Sequence, residues 1–167
     1  MSRIIVVLPT QLFKEPELIP RRTKDTVYIV EHPLYFSCYP YHKLKLIMHR
    51  ATMKAYADYV KDVLCVPNVK YVDHKDYKDF ASSTRRQNAS VLMYDPVDHT
   101  LYNEFKDMNV KYADSPMFLC AREHILDYYG KHKRFNLAEF YACTRARCGI
   151  MVDEKGKPWG GEWMLED

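Results

Sequence analysis

TVYIVEHPLYFSCYPYHKLKLIMHRATMKAYADYV, residues 26–60, decides how this chain folds. Its first five residues, Thr26 to Val30, are β-branched or aromatic and read as a buried strand. Glu31 follows directly, and an aromatic loop carrying Tyr35, Phe36, Tyr39 and Tyr41 leads into a long basic helix from about Tyr41 to Leu64. The stripe Leu44, Ile47/Met48, Ala51, Ala55 and Tyr59 falls at helical spacing and predicts the buried face, with Lys43, Lys45, Arg50, Lys54 and Asp58 mostly elsewhere. Parallel α/β sheets bind ligands in the crevice outside the carboxyl ends of their strands. A carboxylate and several aromatics at that edge therefore suggest a pocket for a flat ring.

Short apolar runs recur on either side of this block. Arg3–Leu8 reads as a first strand, Val69–Val72 as a third, Ser90–Tyr94 as a fourth and Asn109–Tyr112 as a fifth. Weaker helices over Lys75–Arg86 and Val97–Met108 alternate with them. Such alternation predicts an α/β fold: a five-stranded parallel, Rossmann-like sheet with helices on both faces and right-handed crossovers. Arg3–Leu8 is expected at its centre. From about residue 121 the chain turns helical, over Ala121–Tyr129 and then Leu137–Cys148, where Asn136 can cap. Val152–Trp163 is turn-rich. The whole, residues 1–167, reads as a single α/β domain ending in this helical and turn-rich segment.

Composition removes several function classes. All five glycines (Gly130, Gly149, Gly156, Gly160, Gly161) come after residue 129, so neither GxGxxG nor a P-loop can follow the first strand. That excludes a nicotinamide-type Rossmann enzyme and a P-loop NTPase. Five cysteines form no CxxC, and there is no apolar leader or membrane-length apolar run. The expectation is a soluble, intracellular protein with no membrane partner and its thiols reduced. A net charge of +3 compels no nucleic-acid partner. Lys131, Lys133, Arg134, Arg145 and Arg147 face only Glu139 across residues 131–149, which reads either as a basic patch or as a solvated helix face.

Candidate site residues cluster in two loops. Thr10 and Gln11 follow the first strand and place a hydroxyl and an amide at the sheet edge, where they can orient a heterocycle. Thr10 can equally cap a helix, and Gln11 can equally face solvent. Glu31 could accept from ring N–H groups or hydroxyls, or serve as a cap. Tyr35 and Phe36 could stack on a ring or simply close the core. His42 and His49 lie seven apart, which does not suit a metal pair on one helix. No serine sits in GxSxG, and Cys120 has only His124 nearby to suggest a dyad. No catalytic residue and no metal ligand is assigned.

Five blocks in order carry a family resemblance: PTQLF at residues 9–13, EHPLYF with HKLKL at 31–46, YDPVD at 94–98, SPMFL at 115–119, and EFYACTRARCGIMVD with KGKPWGGEW over 139–163. They resemble the N-terminal α/β domain of the photolyase-related branch of the cryptochrome/photolyase family. The resemblance implies a site for a light-harvesting antenna chromophore, ribityl-lumazine or another, with Thr10, Gln11, Glu31, Tyr35 and Phe36 as its binding residues. Better-known relatives carry GDQL where this chain has Pro9-Thr10-Gln11-Leu12, which leaves the antenna's identity open. At Met164–Asp167 the match to the family's continuing sequence ends.

In full-length relatives a helical domain follows, holding FAD and the DNA-lesion site. The resemblance therefore implies an antenna-type domain without FAD, inactive in repair alone and touching DNA only indirectly. It would be part or remnant of a light-dependent repair or photoreceptor protein. A helical FAD-binding domain on a separate chain is the implied partner, docking around Phe140, Tyr141, Trp159 and Trp163. The alternatives are a cofactor-free small-molecule enzyme and an interaction scaffold on the same fold.

Overall fold

A computed structural model describes residues 3–163 and divides the chain into two compact units, Met1–Ser115 and Pro116–Asp167. Met164–Asp167, where the resemblance is expected to end, lies outside the described residues.

The first unit runs β1 (Ile4–Val7), β2 (Thr26–Val30), α1 (Pro33–Phe36), α2 (Lys43–Asp62), β3 (Val69–Val72), α3 (Tyr77–Arg86), β4 (Val91–Tyr94), α4 (His99–Phe105) and β5 (Val110–Ala113). Every strand pair is parallel and the order is β3-β2-β1-β4-β5, so β1 is central as expected. A central parallel strand is buried on both faces, which is why β1 reads Ile-Ile-Val-Val without alternation. Ile5 and Val7 enter one core with Val27, Ile29, Met53, Tyr56 and Val60. Val6 and Leu8 enter the other with Val91, Met93, Leu101 and Phe105. Thus α2 covers one face of the sheet, and α3 and α4 cover the other.

The long helix is present, but it is rotated from the expected stripe. Met53, Tyr56 and Val60 are its buried residues, while Leu44, Ile47 and Met48 are 68%, 53% and 66% exposed. Ala51 and Ala55 are exposed too, and only Tyr59 of the expected set is half-buried. The two faces point about 150° apart around the helix at 3.6 residues per turn. Methionine, tyrosine and valine bury far more apolar area than two alanines, and the rotation they favour also aims Arg50 at the sheet edge.

Two histidines start helices. Nδ1 of His32 accepts from Leu34 N–H to open α1, with Pro33 at the first position, and Nδ1 of His42 accepts from Leu44 N–H to open α2. The short helix α1 lies within the stretch expected as an aromatic loop. Asp98 caps α4 through Thr100 and Leu101 N–H.

The second unit contains α5 (Arg122–Lys131) and α6 (Leu137–Cys148). Asn136 caps α6 through Glu139 N–H as expected, and Gly149 ends it at φ 66°, a left-handed conformation that favours glycine. Arg145 is buried and gathers the tail, donating to the carbonyls of Ile150, Met151 and Trp163 at 3.4, 2.7 and 2.6 Å. Tyr141 and Trp159 are exposed, whereas Phe140 and Trp163 are half-buried. Among the described residues, no helix is long and apolar enough to cross a membrane.

Candidate functional site

Glu31 leaves β2 at its carboxyl end and is fully buried. A carboxylate there must be neutralised or hydrogen-bonded, and four neighbouring groups do so. Arg50 Nε and Nη2 donate to Oε1 and Oε2 at 2.6 and 2.5 Å, and the Tyr71 hydroxyl donates to Oε1 at 2.5 Å. His74 N–H donates to Oε2 at 3.3 Å, and His74 Nδ1 lies 3.2 Å from the same oxygen. Burial alone would raise this acid's pKa, but the bonds from Arg50, Tyr71 and His74 outweigh it and bring it down to about 2. Tyr71 is pushed up by burial and by its bond to the anion.

Arg50 Nη2 also reaches Asp73 Oδ2 and His74 Nδ1, both at 3.2 Å. Glu31, Asp73 and His74 bring ligand atoms within 4.8 Å of one another, a donor set that could take a divalent cation. The guanidinium already stands among those atoms, so a metal would have to displace it.

Beside this hub lies a cleft of about 380 Å³, lined by Phe36, Lys43, Leu46, Ile47, Arg50, Ala51 and His74. That is the size of a small-ligand pocket. Its walls come from α1, the first three turns of α2 and the segment after β3, so it opens at the carboxyl ends of β2 and β3. Phe36 stacks on His74 with centroids 5.8 Å apart and planes 15° from parallel, and Arg50 lies 5.6 Å from the Phe36 ring centroid. His49 sits 6.1 Å from Phe36 and 6.3 Å from Tyr35, extending the ring row along the edge. The cleft thus combines apolar walls, an aromatic face and two cations, Lys43 and Arg50. Such a set can hold a planar ring bearing electron-rich carbonyl or hydroxyl oxygens.

The remaining sequence candidates occupy the other end of the edge. β1 and β4 are neighbours although β2 and β3 intervene in sequence, so the crevice where strand order reverses lies between them. Gln11 fills it from below: it is buried, its Nε2 donates to Tyr94 O at 2.9 Å, and its Oε1 accepts from Leu8 N–H at 3.3 Å. Both ends of its amide are spent on the backbone of the two strands. Thr10 is exposed and its hydroxyl bonds that of Tyr35, whose pKa burial nonetheless raises. Phe36 therefore lines the cleft and Glu31 stands behind it, holding Arg50, while Thr10 and Tyr35 form a separate pair.

Arg50, Tyr71, Asp73 and His74 were not legible as site residues. In sequence Arg50 reads as one of the polar positions of α2, and the other three lie at the end of β3, whose adjacency to β2 depends on strand order. That order, with a carboxylate ending β2, was the available signal: a neighbouring strand end had to supply its partners. For Cys120, the structure places Thr144 and Arg147 against the thiol, at 3.5 and 3.1 Å.

A family model described as deoxyribodipyrimidine photo-lyase-related protein matches residues 5–167. An uncharacterized protein, R852, of Acanthamoeba polyphaga mimivirus is 32% identical over 189 aligned residues, covering 99% of this chain and 92% of that relative.

Proposed function

The chain belongs to the deoxyribodipyrimidine photo-lyase-related protein family, and from that premise we propose that it acts as an antenna-type α/β unit. Its cleft beside Phe36 holds a planar heterocycle of the ribityl-lumazine class. The observation that carries this reading is the cleft itself: about 380 Å³ at the carboxyl ends of β2 and β3, with an aromatic face and two cations. A lumazine ring can lie against Phe36 and Ile47, its ring oxygens toward Arg50 and its ribityl hydroxyls toward Lys43. Glu31 acts from behind, because its two-point bond fixes the guanidinium in one orientation.

On this reading light-driven lesion repair is the work of a reduced flavin, which supplies electron transfer to a pyrimidine lesion. A helical FAD-binding domain is the partner this reading requires, with exposed Tyr141 and Trp159 as its docking residues. Titration of purified protein with ribityl-lumazine, followed by ligand fluorescence, tests the cleft. Saturable quenching supports the reading, and its absence at high micromolar ligand removes it. Co-expression with a helical photolyase domain and size-exclusion chromatography tests the partner.

A further inference from the structure

We propose that Cys120 is a hydroperoxide-reactive thiol in the second unit and that Cys148 is its resolving partner. The argument begins with what each sulfur does. Cys65 donates to the carbonyls of Asp62 and Val63, and Cys148 donates to Leu119 O at 3.9 Å. The Cys120 sulfur instead accepts from a cation: Arg147 Nη2 is 3.1 Å away, with the Thr144 hydroxyl at 3.5 Å. Thr144 and Arg147 are three apart on α6 and so share one face. Cys148 follows four residues after Thr144, and its acceptor, the Leu119 carbonyl, is bonded directly to the nitrogen of Cys120. Both sulfurs therefore flank one peptide unit, and Cys120 and Cys148 are each half-buried while Cys38, Cys65 and Cys143 are exposed.

A hydroxyl and a guanidinium beside a sulfur can also hold the two oxygens of a hydroperoxide in line with it. In the first step the Cys120 sulfur attacks one peroxide oxygen. The S–O bond forms, the O–O bond breaks, and the thiol proton leaves with the departing oxygen as water or an alcohol. Arg147 stabilises the charge developing on that oxygen. Cys120 is oxidised by two electrons to a sulfenic acid and the peroxide is reduced. In the second step the Cys148 sulfur attacks the sulfenic sulfur, S–S forms, S–O breaks, and water leaves with the Cys148 proton. The product ties the segment before α5 to the end of α6.

Each of the three thiols of the second unit falls on its own tryptic peptide: Cys120 on residues 112–122, Cys143 on 135–145 and Cys148 on 148–155. The reduced full chain is treated with hydrogen peroxide and mapped without reductant. A cross-link between the 112–122 and 148–155 peptides is expected, with Cys120 consumed about tenfold faster than Cys38, Cys65 or Cys143. In Cys148→Ser, dimedone should trap a sulfenic acid at Cys120, and in Arg147→Ala the rate at Cys120 should fall to that of the exposed thiols. Equal oxidation of all five thiols in the unaltered chain, or a link from Cys120 to another cysteine, would overturn the proposal.

Discussion

Arg50 and Glu31 stand 19 residues apart in the chain and form a two-point ion pair in which the carboxylate is fully buried while the arginine is 39% exposed. The pair joins the carboxyl end of β2 to the second turn of α2, and Arg50 is also a wall of the cleft. One contact therefore serves both fold and site.

Removing the cation should be costly. Arg50→Ala leaves Glu31 buried with Tyr71 and His74 as its remaining donors, and a broken buried pair loses about 3 kcal/mol. Arg50→Lys should recover only part, because a point charge cannot make both bonds. Urea midpoints at unchanged slope measure this, and a loss below about 1 kcal/mol for Arg50→Ala would mean the pair carries little structural weight.

The pH dependence follows from Glu31. Its folded pKa is about 2 against 4.5 when unperturbed, so the unfolded chain takes up the proton first as pH falls. The contribution is complete above about pH 4.5 and disappears as pH falls through 2. At about 1.4 kcal/mol per unit it amounts to about 3 kcal/mol. Denaturation at pH 6 and pH 3 should show this decline in the natural chain and a shallower one in Glu31→Gln. Identical slopes would argue against the depressed pKa.

The rotation of α2 separates two methionines five residues apart. Met53→Ala should cost about 2–5 kcal/mol, as core truncations do, whereas Met48→Ala should stay within about 0.5 kcal/mol. The reverse ranking would restore the stripe through Leu44, Met48 and Ala55.

Gln11→Leu keeps the bulk of the buried side chain but strands Leu8 N–H and Tyr94 O. A loss of about 1–3 kcal/mol is expected, with lumazine binding unchanged because Gln11 lies apart from the cleft. Loss of binding without loss of stability would return Gln11 to the site.

The sheet was legible because buried parallel strands are continuous runs of β-branched and aromatic residues, as in Ile4–Val7 and Thr26–Val30. The rotation of α2 was not, because two interleaved stripes satisfy the same helical period and only packing volume separates them. Glu31 was found by its position after a strand. Its partners Arg50, Tyr71 and His74 come from 19, 40 and 43 residues away, and pairing them requires the strand order. Gln11 was legible as an edge residue, but its inward turn depends on the backbone groups of β1 and β4 that it joins.

The cleft decides the account. Ribityl-lumazine is titrated into the natural chain and into Ile47→Trp, a substitution at a half-exposed wall position that fills the cleft without disturbing the core. Saturable fluorescence quenching at micromolar ligand by the natural chain, weakened at least about tenfold in Ile47→Trp (about 1.4 kcal/mol), is the predicted result. No saturable quenching, or equal binding by both proteins, would contradict an antenna-type cleft beside Phe36.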